Sequence, residues 1–175
     1  MEASSVFEAE NKMISLDSKN CTTLKDNKEV TCTTMTSCLK YNGVNLPATI
    51  DIEISWVLDS KKQRTPRMFF VDDEGKNIRN STMRLYRGKS ICRTETVYIA
   101  DGIRDKLTPL EVEMKYNLRT ASSSYTTSTV SRRRRAALEP VLDQNKGTVQ
   151  RDSINIMKNC GPDNICIPDL RLDVK

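Results

Sequence analysis

The nine residues Ile50–Leu58, IDIEISWVL, place an apolar side chain at every second position and mostly polar side chains between them. The segment Leu110–Leu118, LEVEMKYNL, has the same alternation. Successive side chains of a β-strand point to opposite faces, so this pattern predicts two strands, each with one face in a core and the other in water. Such alternation often arises by chance over five residues but rarely over nine. The prediction of the fold therefore rests mainly on these two strands.

Shorter segments of strand-like composition lie on both sides of these two and are separated by turn-forming residues. They are Lys28–Met35, Met68–Val71, Thr82–Tyr86, Ser90–Ala100, Ser153–Met157 and Leu170–Val174. No segment has a sustained apolar period of 3.6 residues. The chain is therefore expected to be all-β and to form an antiparallel β-sandwich, with Trp56, the single tryptophan, buried between the sheets.

The composition excludes most catalytic chemistry. The 175 residues include no histidine, which rules out Ser-His-Asp triads, Cys-His dyads and histidine-ligated zinc, haem or copper sites. No cluster of carboxylates suggests a hydrolase, and we expect that the chain is not an enzyme. Its net charge of +5 is too small by itself to indicate a nucleic-acid partner.

Six cysteines indicate an oxidising compartment. They are Cys21, Cys32, Cys38, Cys92, Cys160 and Cys166. Their even number, without a Cys-x-x-Cys pair, favours three disulfides over a zinc or redox site. Fifteen connectivities remain open. The spacing favours the one in which no bridge crosses or encloses another, with Cys21–Cys32, Cys38–Cys92 and Cys160–Cys166 as the pairs.

Two glycosylation sequons, at Asn20 and Asn80, also favour the secretory pathway. The first residues, Met1–Ser5, have neither the basic nor the apolar region of a signal peptide. No apolar stretch approaches the ~18 residues that a membrane-spanning helix needs. A chain of extracellular type with neither signal nor anchor is expected to be a segment of a longer protein.

The run Thr120–Val130, TASSSYTTSTV, is rich in hydroxyl groups and is followed by Arg132, Arg133, Arg134 and Arg135. It has too few apolar residues to offset the entropy of ordering, so we expect a flexible insertion over residues 119–137. The arginine run has three interpretations: a solvated loop, a cleavage site for a proprotein convertase, or a patch that binds a polyanion. The lack of interleaved aromatic residues and the acidic residues nearby disfavour a patch that binds nucleic acid or heparin.

Four segments resemble the thigh domain of integrin alpha subunits. Asn159–Leu172, NCGPDNICIPDLRL, is similar to the C-G-x-D-x-x-C-x-P-x-L string that forms the knee, or genu, at the end of that domain. Ile103–Leu110, IRDKLTPL, resembles its RDKL-S/T-P segment, and Leu138–Asp143, LEPVLD, resembles the P-[IV]-L element before its last strand. Lys19–Cys21, Cys32 and Cys38–Tyr41 match its early cysteine cluster in order and spacing. The four segments keep the family order, which makes the resemblance specific.

The resemblance implies an immunoglobulin-like β-sandwich and the same three disulfides. It divides the chain into an altered or truncated N-terminal strand region (1–16), a thigh-like sandwich (17–159), a genu disulfide loop (160–166) and the first strand of a calf-like domain (167–175). The serine- and arginine-rich loop is longer and more basic than is typical of the family. Processing in integrins usually falls in a later domain, which favours the solvated loop over cleavage.

The resemblance further implies an extracellular leg segment of a single-pass plasma-membrane receptor that pairs with an integrin beta subunit. Matrix or cell-surface ligands would be bound by other domains, and this segment would act as spacer and hinge. Calcium is implied at the genu, held by the carbonyls of Cys160 and Ile165 and the carboxylate of Asp163, with a glutamate from the following calf domain. The alternative is a small secreted module that binds a heparin-like polyanion through Arg132–Arg135.

Overall fold

A computed structural model describes residues 1–17, 21–25, 27–73, 75–119, 141–143 and 146–158. Within these ranges the chain forms ten β-strands in two sheets, with two single-turn 3-10 helices at Glu10–Lys12 and Ser60–Lys62 and no α-helix. The strands are β1 (Glu2–Phe7), β2 (Met13–Ile14), β3 (Thr22–Lys25), β4 (Lys28–Lys40), β5 (Thr49–Leu58), β6 (Met68–Phe70), β7 (Ile78–Tyr86), β8 (Ser90–Ile99), β9 (Leu110–Leu118) and β10 (Val149–Ile156).

The first sheet is built around the long strand β4. Its order is β1-β4-β8-β6, and β3 pairs with β4 beside β1. The two shorter strands share one side of β4, because β3 lies opposite Lys28–Thr31 and β1 lies opposite Met35–Lys40. On the other side, β8 pairs with β4 from Cys32 opposite Tyr98 to Lys40 opposite Ser90.

The second sheet has the order β2-β10-β9-β5-β7. The two strands with the clearest alternation, β5 and β9, are neighbours at its centre, with Trp56 opposite Met114. Their inward faces are buried, as the sequence predicts. The pairs are antiparallel except for β2 with β10, which run parallel over Met13–Ile14 and Asn155–Ile156.

The core lies between the two sheets and confirms the β-sandwich. Trp56 is fully buried, as expected for a core anchor. Its indole N–H donates to the hydroxyl of Ser37 on β4 at 2.9 Å, and the Ser37 hydroxyl lies 2.9 Å from that of Ser5 on β1. These contacts satisfy the buried indole N–H and the two hydroxyls, as buried polar groups require. The hydrogen bond from Trp56 to Ser37 also links the second sheet to the first.

The N-terminal residues form part of the sandwich. The sequence indicates only an altered or truncated strand region there, whereas β1 pairs with β4 over six residues, from Glu2 to Phe7. The inward face of β1 consists of Ala3, Ser5 and Phe7, of which only Phe7 is large, so its alternation is weak in the sequence. The predicted segment Leu170–Val174 lies outside the described residues.

Candidate functional site

The chain enters and leaves the sandwich at opposite poles. We define the N-terminal pole as residues 41–48 and 87–89, where the end of β4 meets the turn between β7 and β8 and the start of β5. Glu2 begins β1 at this pole, opposite Lys40. The C-terminal pole comprises residues 59–67 and 100–109, next to the start of β9. Ile154 pairs with Leu110 there, and the chain continues past it.

A buried ion pair organises the C-terminal pole. Asp59 follows β5 directly and is fully buried, and Arg67 precedes β6 directly and is 5% exposed. The guanidinium Nε donates to Asp59 Oδ2 at 2.7 Å and Nη2 donates to Oδ1 at 2.6 Å, while the Arg67 backbone N–H donates to Oδ2 at 2.9 Å. This bidentate geometry is specific to arginine. Hydrogen bonding to Asp59 raises the pKa of Arg67, which keeps the guanidinium charged despite its burial.

The remaining Arg67 donors hold the segment Ile103–Leu110. Nη1 donates to the carbonyls of Asp105 and Thr108, each at 2.9 Å, and Nη2 donates to the Pro109 carbonyl at 3.3 Å. Thus one buried side chain fixes the end of β5, the start of β6 and the segment that leads into β9.

Asp105 folds this segment into a tight turn. Its carboxylate accepts from the backbone N–H of Leu107 at 2.9 Å, the N–H of Thr108 at 3.0 Å and the Thr108 hydroxyl at 2.7 Å. Lys62 forms a salt bridge with the same carboxylate. The Lys62 ammonium and these hydrogen bonds lower the pKa of Asp105 well below its usual range. The role of the IRDKLTPL string is therefore structural: its turn presents carbonyls to Arg67.

Polar contacts also close both edges of the sandwich. On one edge, Asp152 of β10 accepts from the backbone N–H of Phe7 and from Lys12 Nζ, both at 2.7 Å. On the other, Arg79 of β7 forms a salt bridge with the buried Glu95 of β8. These contacts join the first sheet to the second along both edges, and the Asp152 contact fixes the last strand, β10, to β1.

The predicted site residues divide between described and undescribed parts of the chain. Disulfides join Cys21 to Cys32, with Cα atoms 5.0 Å apart, and Cys38 to Cys92, with Cα atoms 4.0 Å apart. Both pairs are those that the spacing favours. Asn80 is exposed on β7. Outside the described residues lie Cys160, Cys166, Asp163, Ile165, Asn20, Arg132, Arg133, Arg134 and Arg135.

The Cys38–Cys92 bridge lies within the first sheet, where the two residues are directly opposite on β4 and β8. In antibody-type immunoglobulin domains the conserved disulfide instead joins the two sheets and packs against the tryptophan. Here the Ser37 hydroxyl contacts Trp56 from β4, while the neighbouring Cys38 faces outward. The disulfide thus fixes the register of two central strands and does not itself join the two sheets.

Two further features are absent from the part of the chain that the structure describes. No group of three or more cysteine, aspartate and glutamate side chains there is arranged to hold a metal ion. No helix among the same residues is long and apolar enough to cross a membrane. Reasoning from the sequence missed the Asp59–Arg67–Asp105 network. The pattern Asp-x-x-Thr-Pro in residues 105–109 was the available signal, since aspartate and threonine in this spacing favour a capped turn.

Comparisons with known proteins are consistent over nearly the whole chain. The model of the family "Integrin alpha Ig-like domain 1" matches residues 2–159. The chain is 53% identical over 174 residues to integrin alpha-PS2 of Drosophila melanogaster, covering 99% of this chain and 12% of that protein. It is 26% identical over 178 residues to integrin alpha-5 of Xenopus laevis, covering 99% of this chain and 16% of that protein.

The chain therefore spans about an eighth of the length of the first of these relatives and less than a fifth of the second. The family match begins at residue 2, within the N-terminal region that β1 and β2 occupy, and ends just after β10. It includes the sandwich and the Asp59–Arg67 network. On this evidence, the chain belongs to the integrin alpha Ig-like domain 1 family.

Proposed function

We propose that this chain is the thigh segment of an integrin alpha subunit and acts as a spacer in the extracellular leg of a cell-adhesion receptor. The receptor pairs the alpha subunit with a beta subunit in the plasma membrane. Matrix or cell-surface ligands bind to other domains, and this segment has no catalytic role. One observation carries the proposal: the first strand starts at one pole of the sandwich and the last strand ends near the other.

This arrangement suits a spacer because force or displacement applied at one pole passes along the strands to the other. The longest strand, β4, has 13 residues, and at ~3.3 Å per residue it extends about 40 Å. The Arg67 network at the C-terminal pole and the edge contacts of Asp152 and Arg79 hold the two sheets together. A stiff segment transmits orientation better than a flexible linker of the same length.

We place the hinge immediately after the C-terminal pole. The proposed boundaries are a sandwich that ends at residue 159, a genu loop at 160–166 and the first strand of a calf-like domain at 167–175. The backbone N–H of Met157 donates to the Ile14 carbonyl at 2.8 Å, so the chain is tethered to β2 almost up to this boundary. A sharp change from a fixed strand to a short loop is the expected architecture of a joint.

Calcium at the genu is part of this proposal. The carbonyls of Cys160 and Ile165 and the carboxylate of Asp163 are oxygen donors, which is the chemistry that calcium prefers. They supply three ligands where calcium usually takes six to eight, so donors from the following domain or from water must complete the shell. The ion would restrict the joint by holding both sides of it.

An insertion experiment in the full-length alpha subunit tests the hinge. A short Gly-Ser insertion after Lys158 should leave assembly with the beta subunit intact and broaden the range of leg angles in electron micrographs. The matched control is the same insertion after Val44, a highly exposed residue at the N-terminal pole. Equal effects of the two insertions on the knee angle, or no effect of either, would contradict the proposed hinge.

Binding to heparin distinguishes the alternative function. A polyanion-binding module acting through Arg132–Arg135 would elute from a heparin column only at high salt, with a steep dependence on salt concentration because many counterions are released. For a leg segment we expect weak retention that hardly changes when the four arginines are replaced by alanine. Strong retention abolished by that replacement would favour the alternative.

A further inference from the structure

Asn80 is the third of the nine residues of the edge strand β7. Strand β7 pairs with β5 on one side and forms the last strand of the second sheet. The Asn80 side chain points away from the core and is exposed, whereas its neighbour Ser81 points inward and accepts from Arg93 Nη1 at 2.7 Å. The sequon Asn80-Ser81-Thr82 is therefore held in a fixed extended conformation, with the acceptor asparagine facing solvent.

An open groove crosses the outer face of the second sheet next to Asn80. The pairing register places Asn80, Ser55, Lys115 and Val149 in one row across β7, β5, β9 and β10. The groove has a volume of about 820 Å³. The other polar residues that line it are Glu53, Ser81, Thr82, Tyr116, Asn117 and Thr148, of which Ser81 and Tyr116 point toward the core.

The lining of the groove suits an oligosaccharide. Hydroxyl, carboxamide, carboxylate and ammonium groups all form hydrogen bonds with sugar hydroxyls. On the other flank of Asn80, Ile78 is half exposed and lies opposite Val57, which offers an apolar surface to the C–H face of a sugar ring. Neighbouring strands are about 4.8 Å apart, so Lys115 lies roughly 10 Å from Asn80, within reach of a short chain of linked sugars.

We propose that an N-linked glycan on Asn80 lies across this groove, with its first sugars over Ser55 and Thr82 and later sugars reaching Lys115. The occupant is part of the same molecule, attached at the rim of the groove. The outer face of the second sheet is thus a glycan-covered surface, closed to protein partners. The proposal requires that the chain pass through the secretory pathway, where N-linked glycans are attached. It does not depend on the proposed spacer or hinge role.

The position of the glycan also protects the sheet edge. A long unpaired edge strand exposes backbone N–H and C=O groups that pair readily with another chain. Strand β7 has nine residues, from Ile78 to Tyr86, with Asn80 near its start and Arg84 further along. A bulky, hydrated glycan at this edge excludes a second strand from the half of β7 that carries no outward charge.

The experiment compares lysine acylation with and without the glycan. The full 175-residue chain is secreted from cells that attach N-glycans, with Asn20→Gln so that Asn80 has the remaining Asn-x-Ser/Thr sequon. Matched variants are Thr82→Ser, which keeps the sequon, and Thr82→Ala, which removes it. Lys115 is the reporter, and Lys28 on the first sheet is the reference. Their side chains are 58% and 71% exposed, and each pairs with a carboxylate.

We expect the glycan to slow acylation of Lys115 several-fold relative to Lys28 in the parent and Thr82→Ser chains. Enzymatic removal of the glycan after folding should restore the rate, which avoids any folding defect of a variant. Light scattering should show more self-association for Thr82→Ala than for Thr82→Ser. Equal Lys115 rates with and without the glycan, or an unmodified Asn80 in the parent chain, would overturn the proposal while leaving the hinge experiment unaffected.

Discussion

At the scale of single residues, Arg67 is the side chain on which the C-terminal pole most depends. Replacing it with methionine keeps an apolar stem of similar length but leaves the Asp59 carboxylate buried without its partner. Removing one member of a buried pair costs about 3–5 kcal/mol, and Arg67→Met should lower the free energy of unfolding by that order in denaturant titrations. Three carbonyls also lose their donor.

Arg84→Met is the matched control for Arg67→Met. Arg84 forms a bidentate contact with Asp51, as Arg67 does with Asp59, but its side chain is 65% exposed. Solvent-exposed ion pairs contribute little to stability because water screens them, so this variant should unfold nearly as the parent does. Similar losses in the two variants would show that burial of the Asp59–Arg67 pair does not determine its contribution.

Acid should destabilise the domain through carboxylates whose pKa is lowered by folding. Hydrogen bonding to Lys62 and Thr108 lowers the pKa of Asp105, and hydrogen bonding to Arg84 lowers the pKa of Asp51. A group with a depressed folded-state pKa stabilises the fold above its ordinary pKa and loses that contribution as the pH falls. Stability should therefore decline below about pH 4.

The variant Asp105→Asn tests the acid dependence, because it keeps an acceptor oxygen but removes the titrating charge. Its stability should fall less steeply than that of the parent between pH 5 and pH 3, measured as the midpoint of denaturant unfolding. Parallel curves for the two proteins would contradict the assignment of acid sensitivity to Asp105.

At the scale of secondary-structure elements, strands are predicted best from the sequence where large apolar residues recur on one face of the strand. Both β5 and β9 satisfy this condition over nine residues. The second half of β4 was missed because its inward positions include Ser37, whose burial depends on the tertiary contact with Trp56. Strand β2 has only two residues and depends on pairing with β10, far away in the chain. A local sequence pattern carries no information about contacts with residues so far away in the chain.

The same limit applies to the candidate site. The two described cysteine pairs were predictable from spacing and from the family resemblance, because both features are visible in the sequence. The pairing of Asp59 with Arg67 did not, because charged residues eight positions apart on either side of a 3-10 turn carry no periodic signal. The pair becomes evident only from the structure, which shows that both side chains are buried. It also shows that the carbonyls of Asp105, Thr108 and Pro109 accept hydrogen bonds from Arg67.

The two described disulfides should stabilise their elements unequally. The Cys38–Cys92 bridge encloses a loop with a sequence separation of 54, and the Cys21–Cys32 bridge one of 11. By loop entropy, removing them costs about 4 and about 3 kcal/mol respectively. Paired Cys→Ala variants of each bridge, compared by denaturant unfolding, should show this order. The reverse order would mean that the β3–β4 corner depends more on its bridge than the central β4–β8 pair does.

At the scale of the whole molecule, β9 precedes the arginine run in the sequence and β10 follows it. If a convertase cleaves after Arg135, both described disulfides stay in the N-terminal piece, and β10 stays in the C-terminal piece. Strand β10 pairs with β9 and β2 and buries Ile154 and Ile156 in the core. The pieces should therefore remain together in native chromatography.

A denaturing gel without reducing agent should separate the cleaved pieces, given an internal Cys160–Cys166 bridge. An Arg135→Ala chain treated in the same way provides the uncleaved control. If mass spectrometry confirms the cut but one full-size band persists in the gel, a disulfide must cross the cleavage site, and the proposed connectivity would be wrong.

The proposed calcium site joins this domain to the next one, so its affinity should depend on how much of the leg is present. Within the 175 residues, Cys160, Ile165 and Asp163 supply three oxygens, and water must supply the rest. Such a shell should bind in the ~10⁻⁴–10⁻³ M range of loose extracellular sites. Calorimetry should show little binding by this chain at micromolar calcium. A longer chain that includes the following calf domain should bind more tightly and gain thermal stability from calcium, and Asp163→Ala should abolish that gain. Micromolar binding by the 175-residue chain, lost in Asp163→Ala, would instead place the complete site within this domain and remove the physical basis for a calcium-restrained joint.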